Sequence, residues 1–231
     1  GANIAYNYNE ITKLTATDDP DYKGIFTGGI AGGVGSNIQI HSVGFAPRSF
    51  YVFKQLYDEN GNLLEGQYAD VNGDGVVNDD DKYRYQKPAA DYLIGLTSNM
   101  NIGKFDFSFA GRANIGNFVY NNVATDMGYL QRLFHPTLYL SAVDNNILNQ
   151  ANATFSDHFV TDASFFRLDH ITVGYSFDKL PFSDLLRVSA TVQNPFVITQ
   201  YQGLDPELGI GIDNNIYPRS RTYLFGVSVT F

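Results

Sequence analysis

The chain ends in Tyr223-Leu224-Phe225-Gly226-Val227-Ser228-Val229-Thr230-Phe231, which sets Tyr, Phe, Val, Val and Phe on one face at period two and leaves Gly226, Ser228 and Thr230 on the other. Such a run can only be a β-strand with one apolar side. Taken singly it suits a soluble sandwich as well as a membrane wall. The pattern recurs, however. Phe105, Phe107 and Phe109 oppose Asp106, Ser108, Ala110 and Arg112, and Leu186, Val188, Ala190 and Val192 oppose Arg187, Ser189, Thr191 and Gln193. Tyr92, Ile94, Leu96, Met100 and Ile102 form another apolar face, as do Ile171, Val173, Tyr175 and Phe177, with a shorter one at Ile4, Tyr6 and Tyr8. Each run covers roughly 9–13 residues, the reach of a tilted membrane-crossing strand and longer than the ~5–6 residues common in globular domains.

The links between these runs alternate in length. Gly103-Lys104 is a tight turn and Asp178 to Asp184 a short one, whereas 13–90, 116–164 and 198–220 are long. Transmembrane barrels have short periplasmic turns and long extracellular loops. With Phe231 at the periplasmic side, 221–231 runs down, 186–197 up, 165–177 down, 104–115 up, 91–102 down and 3–12 up. About six strands do not close a barrel, since the smallest type needs about 8. The remaining strands are therefore expected from a longer protein. The opening residues fit that expectation: Asn3 to Tyr8 reads as the inside of a strand, with no export signal before it. The fold expected is all-β, a segment of a transmembrane antiparallel barrel with long extracellular loops.

Composition excludes several alternatives. The 16 Tyr, 18 Phe and 22 Gly favour strands and turns over helices. No apolar run approaches the ~18 residues of a transmembrane helix. The absence of Cys removes disulfide scaffolds, thiolate metal sites and cysteine nucleophiles. A net charge of -9 argues against nucleic acid as a partner, because phosphate binding needs clustered Lys and Arg.

The sharpest local motif is Asp70-Val71-Asn72-Gly73-Asp74-Gly75-Val76-Val77-Asn78-Asp79-Asp80-Asp81. It has the spacing of a Ca²⁺ loop, with oxygen donors at the first, third, fifth and ninth positions, a Gly at the sixth and an acid at the twelfth. Asp70, Asn72 and Asp74 would give side-chain oxygens, Val76 its carbonyl, Asn78 an oxygen directly or through water, and Asp81 the closing carboxylate. Asp at the twelfth position is shorter than the usual Glu, so Asp79 and Asp80 compete for that role. Calcium there would be structural. A solvated acidic turn without an ion is the plainer alternative.

No catalytic signature accompanies the motif. The Gly-rich stretch 24–35 lacks the Gly-Lys-Ser/Thr of a phosphate loop and reads as a flexible covering loop. His41, His135, His158 and His170 have no metalloprotease spacing, and no Ser sits in a Gly-x-Ser-x-Gly elbow. Within Met127 to Gln150, the Leu spacing suggests short helices, and Tyr129, Gln131, Phe134, Tyr139, Asn145 and Asn146 suit stacking on sugars or peptides, or simple packing between loops. Arg112, Asn114, Arg187 and Gln193 face the lumen in the barrel reading and suit either substrate.

Several segments together resemble the C-terminal part of the SusC/RagA family of TonB-linked outer-membrane transporters of Bacteroidetes. They are Asp70 to Gly75, Arg167-Leu168-Asp169-His170-Ile171-Thr172-Val173-Gly174-Tyr175, Val192-Gln193-Asn194, Tyr201-Gln202-Gly203-Leu204-Asp205-Pro206-Glu207 and Ile212 to Pro218, leading into Arg221-Thr222-Tyr223 and Phe231. The resemblance implies a 22-stranded barrel embedded in outer-membrane lipid, closed by a plug that lies outside this chain, and a SusD-like surface lipoprotein acting as lid. It further implies energy from the TonB complex through the absent N-terminal part, and import of oligosaccharides or peptides without bond breaking. It also makes Tyr223 to Phe231 look like the segment that the barrel-assembly machinery recognises. Two other readings compete: a secreted all-β adhesin or glycan-binding module with a Ca²⁺-stapled loop, and an outer-membrane enzyme using a wall Ser and His.

Overall fold

A computed structural model describes every residue except 18, 20, 31–35, 135–142, 144, 145, 153, 182 and 215. In chain order the strands are β1 (Ala2–Tyr6), β2 (Ile25–Gly29), β3 (Asn37–His41), β4 (Ser49–Val52), β5 (Gln55–Tyr57), β6 (Leu63–Tyr68) and β7 (Tyr83–Arg84). They continue with β8 (Tyr92–Ile102), β9 (Phe105–Ile115), β10 (Phe118–Tyr120), β11 (Val160–Asp162), β12 (Phe165–Leu180), β13 (Ser183–Thr199) and β14 (Thr222–Thr230). One short helix, α1 (Asn122–Met127), is capped by the Asn121 side chain accepting from the Ala124 amide. Among the described residues no helix is long and apolar enough to cross a membrane.

The long strands form one six-stranded antiparallel sheet in the order β1-β8-β9-β12-β13-β14. Its register sorts the side chains, because residues directly opposite one another share a face. Phe107 lies opposite Met100 and Val173, Val173 opposite Ala190, and Ala190 opposite Phe225. On the other face Ser108 lies opposite Asn99 and Thr172, and Thr172 opposite Thr191. Among the described residues nothing covers the apolar face of β14: Phe225 is 85% exposed, Val227 72% and Tyr223 61%. An open apolar face of this extent would aggregate in water and calls for lipid or a partner.

Aromatic side chains collect at both ends of that face. Near the Gly103 turn, Phe105 and Tyr175 have ring centroids 4.7 Å apart, and Tyr175 and Phe177 also 4.7 Å. At the opposite end Tyr6 meets Tyr92 at 5.2 Å and Phe166 meets Phe196 at 6.3 Å. Between these ends β8 runs for 11 residues. At ~3.4 Å per residue and a tilt near 45° that is a band about 24 Å tall, the height of the apolar belt between the aromatic girdles of outer-membrane barrels.

The strand edges differ from the sequence expectation in three places. The run expected over 3–12 leaves the sheet after Tyr6, because its partner β8 begins at Tyr92; Ile11 then donates to the Phe45 carbonyl at 2.9 Å. The turn expected from Asp178 to Asp184 is shorter, with paired strands reaching Leu180 and Ser183. The stretch 24–35, expected as a flexible loop, contains β2, which pairs with β3 from Ile25↔His41 to Gly29↔Asn37; residues 31–35 lie outside the described residues. Gly24 and Gly28, at φ 131° and 72°, let the chain turn back against β3.

The buried core is not in the long sheet. Ile38, Phe50, Val52, Tyr120, Ile147, Phe159, Val160 and Ile212 pack into one cluster drawn from all three long links. What reads as three separate loops is one folded module, built on the sheet β2-β3-β4-β7 and the pairs β5-β6 and β10-β11. Tyr120 stitches it together: its amide donates to the Gly211 carbonyl at 2.9 Å and its carbonyl accepts from the Asp213 amide at 3.0 Å. Burying each large apolar side chain here contributes about 1.5–3 kcal/mol. A chain whose main sheet leaves its apolar face uncovered has only its loops in which to form a water-excluding centre.

Candidate functional site

The polar face of the long sheet is built from small and charged residues. Thr172 and Thr191 share a hydroxyl hydrogen bond of 2.8 Å. Nearer the Gly103 turn, Arg187 on β13 reaches across β12 to Asp106 on β9, donating from Nε at 2.8 Å and from Nη2 at 2.5 Å. The strand between them carries Gly174 at the crossing, where a Cβ would lie 2.2 Å from the Asp106 carboxylate and 2.6 Å from Arg187 Nη2. The absent side chain is what allows two strands separated by a third to be joined.

At the other end of the same face lies a larger ionic cluster. Arg167 on β12 donates to Asp205 at 2.6 Å, and both side chains are 5% exposed. Arg219 pairs with Asp205 at 2.9 Å and with Glu207 at 3.0 Å. Glu207 also accepts from Arg112 on β9 at 2.8 Å and lies 3.5 Å from Arg167 Nε. Arg112 is bonded in turn to Asp169. Asp169 can reach it because β12 shifts register here, with Leu168 opposite Gly111 and His170 opposite Ala110; the extra residue of a bulge is re-aimed. Three arginines thus meet three carboxylates, and segment 201–219 is clamped onto the rim of two strands. Asn117 adds a bond to the Pro206 carbonyl at 3.4 Å and Tyr201 one to Asp213 at 2.9 Å.

This cluster changes the reading of the lumen-facing arginines. Arg112 and Arg187 are engaged with carboxylates of the protein, and the partners Asp106, Asp169 and Glu207 carry no signal of pairing in the sequence. Tyr129, one of the expected stacking residues, packs against the module core and accepts from Arg132 Nε at 2.9 Å. Tyr139 and Asn145 lie outside the described residues, as do Leu138, Leu140 and His135. Short helical turns do occur at Leu130–Arg132 and Gln150–Asn152. His41 accepts from the Arg48 amide at 3.3 Å, and His158 shares a 3.0 Å hydrogen bond with Tyr57. Burial holds the His158 imidazole below its ordinary pKa.

The acidic loop is folded by its own side chains. Asp70 accepts from the Gly73 amide at 2.6 Å and the Gly75 amide at 2.8 Å, Asn72 from the Asp74 amide at 2.9 Å, and Asp74 from the Val76 amide at 2.8 Å. Gly73 and Gly75, at φ 77° and 85°, supply the left-handed turns. Asp81 is fully buried and accepts from the Asn78 and Val71 amides, both at 2.8 Å, and from the Asn72 amide at 3.3 Å. These bonds, the one from Asn78 foremost, hold its carboxyl below the ordinary aspartate value. Asp79 and Asp80 pair with Lys82 and Lys23, and Asp81 is the buried acid of the loop. Asp74 is turned to Asn72, whose amide donates to it at 3.1 Å, and the Val76 carbonyl accepts from Asn78 at 3.3 Å. Among the described residues no group of three or more His, Asp or Glu side chains is placed to hold a metal ion.

No protein-family model matches the chain. Known proteins do. The TonB-dependent receptor SusC of Bacteroides thetaiotaomicron is 46% identical over 241 residues, which cover 99% of this chain and 24% of that protein. The chain belongs to the SusC family of TonB-dependent receptors. The TonB-dependent receptor P3 of Formosa agariphila is 25% identical over 99% of the chain and 26% of its own length. The chain therefore spans about a quarter of the curated relatives it matches. Among solved structures, that of the RagAB peptide transporter superposes with a TM-score of 0.73 at 22% identity, covering 100% of this chain and 26% of that one. The fold is thus a segment of a TonB-dependent β-barrel. Within this SusC-family segment the apolar face of the sheet β1-β8-β9-β12-β13-β14 is the outer wall, the Thr172 and Asp106 face is the inner one, and the module and its ionic clamp sit at one end of it.

Proposed function

We propose that the chain forms part of the wall and extracellular crown of an outer-membrane active transporter that imports nutrient oligomers, oligosaccharides or peptides. A SusD-like surface lipoprotein would serve as lid, and TonB would supply energy through the part of the protein outside this chain. The observation that carries this reading is the two-faced sheet: an uncovered apolar face about 24 Å tall between aromatic ends, backed by a polar face, in a chain 46% identical to SusC along its length. The substrate moves and no bond is broken. Deleting the gene of the whole protein should abolish growth on its substrate oligomer, and the detergent-purified transporter should carry the lipoprotein with it. Release of the protein from cells into aqueous buffer as a stable monomer would overturn the membrane reading in favour of a secreted adhesin.

For the acidic loop we propose a structural Ca²⁺ held by Asp70, Asn72, Asp74, Val76, Asn78 and Asp81. The donor set is all oxygen, which suits a hard cation. Asp74→Ala or a chelator should increase protease nicking within 60–85 while leaving the heat resistance of the barrel on gels unchanged. Equal nicking with and without Ca²⁺ would refute the site.

A further inference from the structure

We propose that Asn60, at the tip of the hairpin β5-β6, is a site of spontaneous deamidation to aspartate and isoaspartate, and that the acidic loop shields Asn72, its chemical equivalent, from the same reaction.

The sequence holds two Asn-Gly pairs, Asn60-Gly61 and Asn72-Gly73. Such a pair undergoes a reaction that needs no enzyme. The Gly backbone nitrogen gives its proton to hydroxide and attacks Cγ of the Asn side chain. The new N–C bond closes a succinimide ring as the Cγ–Nδ2 bond breaks and ammonia leaves. Water then opens the ring at one carbonyl or the other, giving Asp or isoaspartate. A following Gly favours the attack because it puts no Cβ in the path. A Cβ built on Gly61 or on Gly73 would meet nothing within 4 Å, so both rings have room to form. Sequence and local space treat the two sites alike.

Hydrogen bonds separate them. The Asn72 side chain is tied at both ends: Oδ1 accepts from the Asp74 amide at 2.9 Å and Nδ2 donates to the Asp74 carboxylate at 3.1 Å. The nucleophile is tied as well, since the Gly73 amide donates to the Asp70 carboxylate at 2.6 Å. Attack there requires turning the Asn72 amide out of its bonds and removing a proton that a carboxylate holds, and the nearby negative charge disfavours the nitrogen anion. At the hairpin tip the reacting atoms are left free. The Asp58 carboxylate organises the turn through the Asn60 amide at 2.9 Å, the Asn62 amide at 2.7 Å and Asn62 Nδ2 at 2.8 Å. The Asn60 side chain forms no hydrogen bond among the described residues, and Asn60 and Gly61 are both exposed. The Gly61 amide donates to the neutral Asp58 carbonyl at 3.0 Å, a bond that water replaces at little cost.

The product changes the tip and spares the module. Deamidation sets a third carboxylate beside Asp58 and Glu59, and isoaspartate lengthens the backbone of a turn that the Asp58 amide closes onto the Asn62 carbonyl at 2.8 Å. The rest of the hairpin is pinned: Glu65 accepts from the Leu148 and Asn149 amides, both at 2.9 Å, and the Tyr68 hydroxyl donates to the Asn152 carbonyl at 2.6 Å.

The test is incubation of the whole detergent-solubilised transporter at mildly alkaline pH, followed by mass spectrometry. The tryptic peptide 55–82 carries both residues, so its fragment ions report the two conversions side by side. In the folded protein Asn60 should convert at least about tenfold faster than Asn72, the factor of one charge-assisted hydrogen bond. In denaturant, where the bonds are gone, the two rates should come together. Asp70→Ala, which frees the Gly73 amide, should speed conversion of Asn72 severalfold and leave Asn60 unchanged. Similar rates in the folded protein, a faster Asn72, a ratio that persists in denaturant, or an unchanged Asn72 in Asp70→Ala would each overturn the assignment. The readout involves neither uptake nor the lipoprotein, so it stands apart from the transport reading.

Discussion

Removing the Asp205 carboxylate by Asp205→Asn tests whether the ionic clamp holds segment 201–219 on the barrel rim. Among the described residues, Asp205 is the sole ion-pair partner of Arg167 within 3 Å, at 2.6 Å, and both side chains are 5% exposed. Breaking a buried pair from one side typically costs about 3–5 kcal/mol, because the surviving charge stays buried without compensation. Arg167 keeps Glu207 at 3.5 Å, and Arg219 keeps it at 3.0 Å, so the lower end applies, about 3 kcal/mol. The barrel strands gain most of their stability elsewhere, so the loss should appear as local opening of 201–219. A change of 3 kcal/mol raises an opening equilibrium roughly a hundredfold. Hydrogen exchange of the detergent-solubilised transporter should show this acceleration at 201–213, with β12 and β13 amides below the rim unchanged. Replacing both partners, Arg167→Met with Asp205→Leu, should recover most of the protection, since an apolar pair of similar volume carries no stranded charge. Exchange within threefold of wild type in Asp205→Asn would refute the clamp.

Three further outcomes follow from the same geometry. Gly174→Ala should push Asp106 and Arg187 apart; because both are about a third exposed, the cost should stay below about 1 kcal/mol, and Asp106→Asn added to it should cost almost nothing more, as read from urea midpoints of barrel folding. Fully additive losses would contradict the bridge. Val188→Arg, on the outer face, should impair barrel insertion by about 2–4 kcal/mol, whereas Ser189→Arg, its neighbour on the inner face, should insert normally; equal effects would mean the faces are misassigned. The Asp81 carboxyl has a folded-state pKa below its unfolded value, so its contribution is complete above the unfolded value, near 3.8, and is lost as pH falls through the folded one. At any one pH above the unfolded value the 70–78 amides should therefore exchange more slowly in the wild type than in an Asp81→Asn variant, and the difference should shrink as pH falls below it; a difference that stays constant as the pH is lowered would contradict this.

Much of the wall was legible in the sequence. The alternation at Tyr223 to Phe231, at Phe105 to Arg112 and at Leu186 to Gln193 is a local property: successive Cβ atoms point to opposite faces of any extended strand, so composition along the run names the faces without knowledge of the partner. The alternation of short and long links then put those strands in order, and the sheet order β1-β8-β9-β12-β13-β14 agrees with it. The acidic loop was equally legible as a turn, since its Asx and Gly positions act on neighbours two to five residues away.

Tertiary structure decided what depends on contacts between distant residues. It paired Asp80 with Lys23, 57 positions away. It joined the long links into one module around Tyr120 and Phe50, and it engaged Arg112 and Arg187 with carboxylates up to 95 positions along the chain. Period and spacing record which way a side chain points, and the sequence by itself determined that much: a two-faced wall ending in Tyr223 to Phe231. Which partner a charge meets is set by register, by one bulge at Asp169 and by a missing side chain at Gly174, and these take effect only once the strands lie side by side.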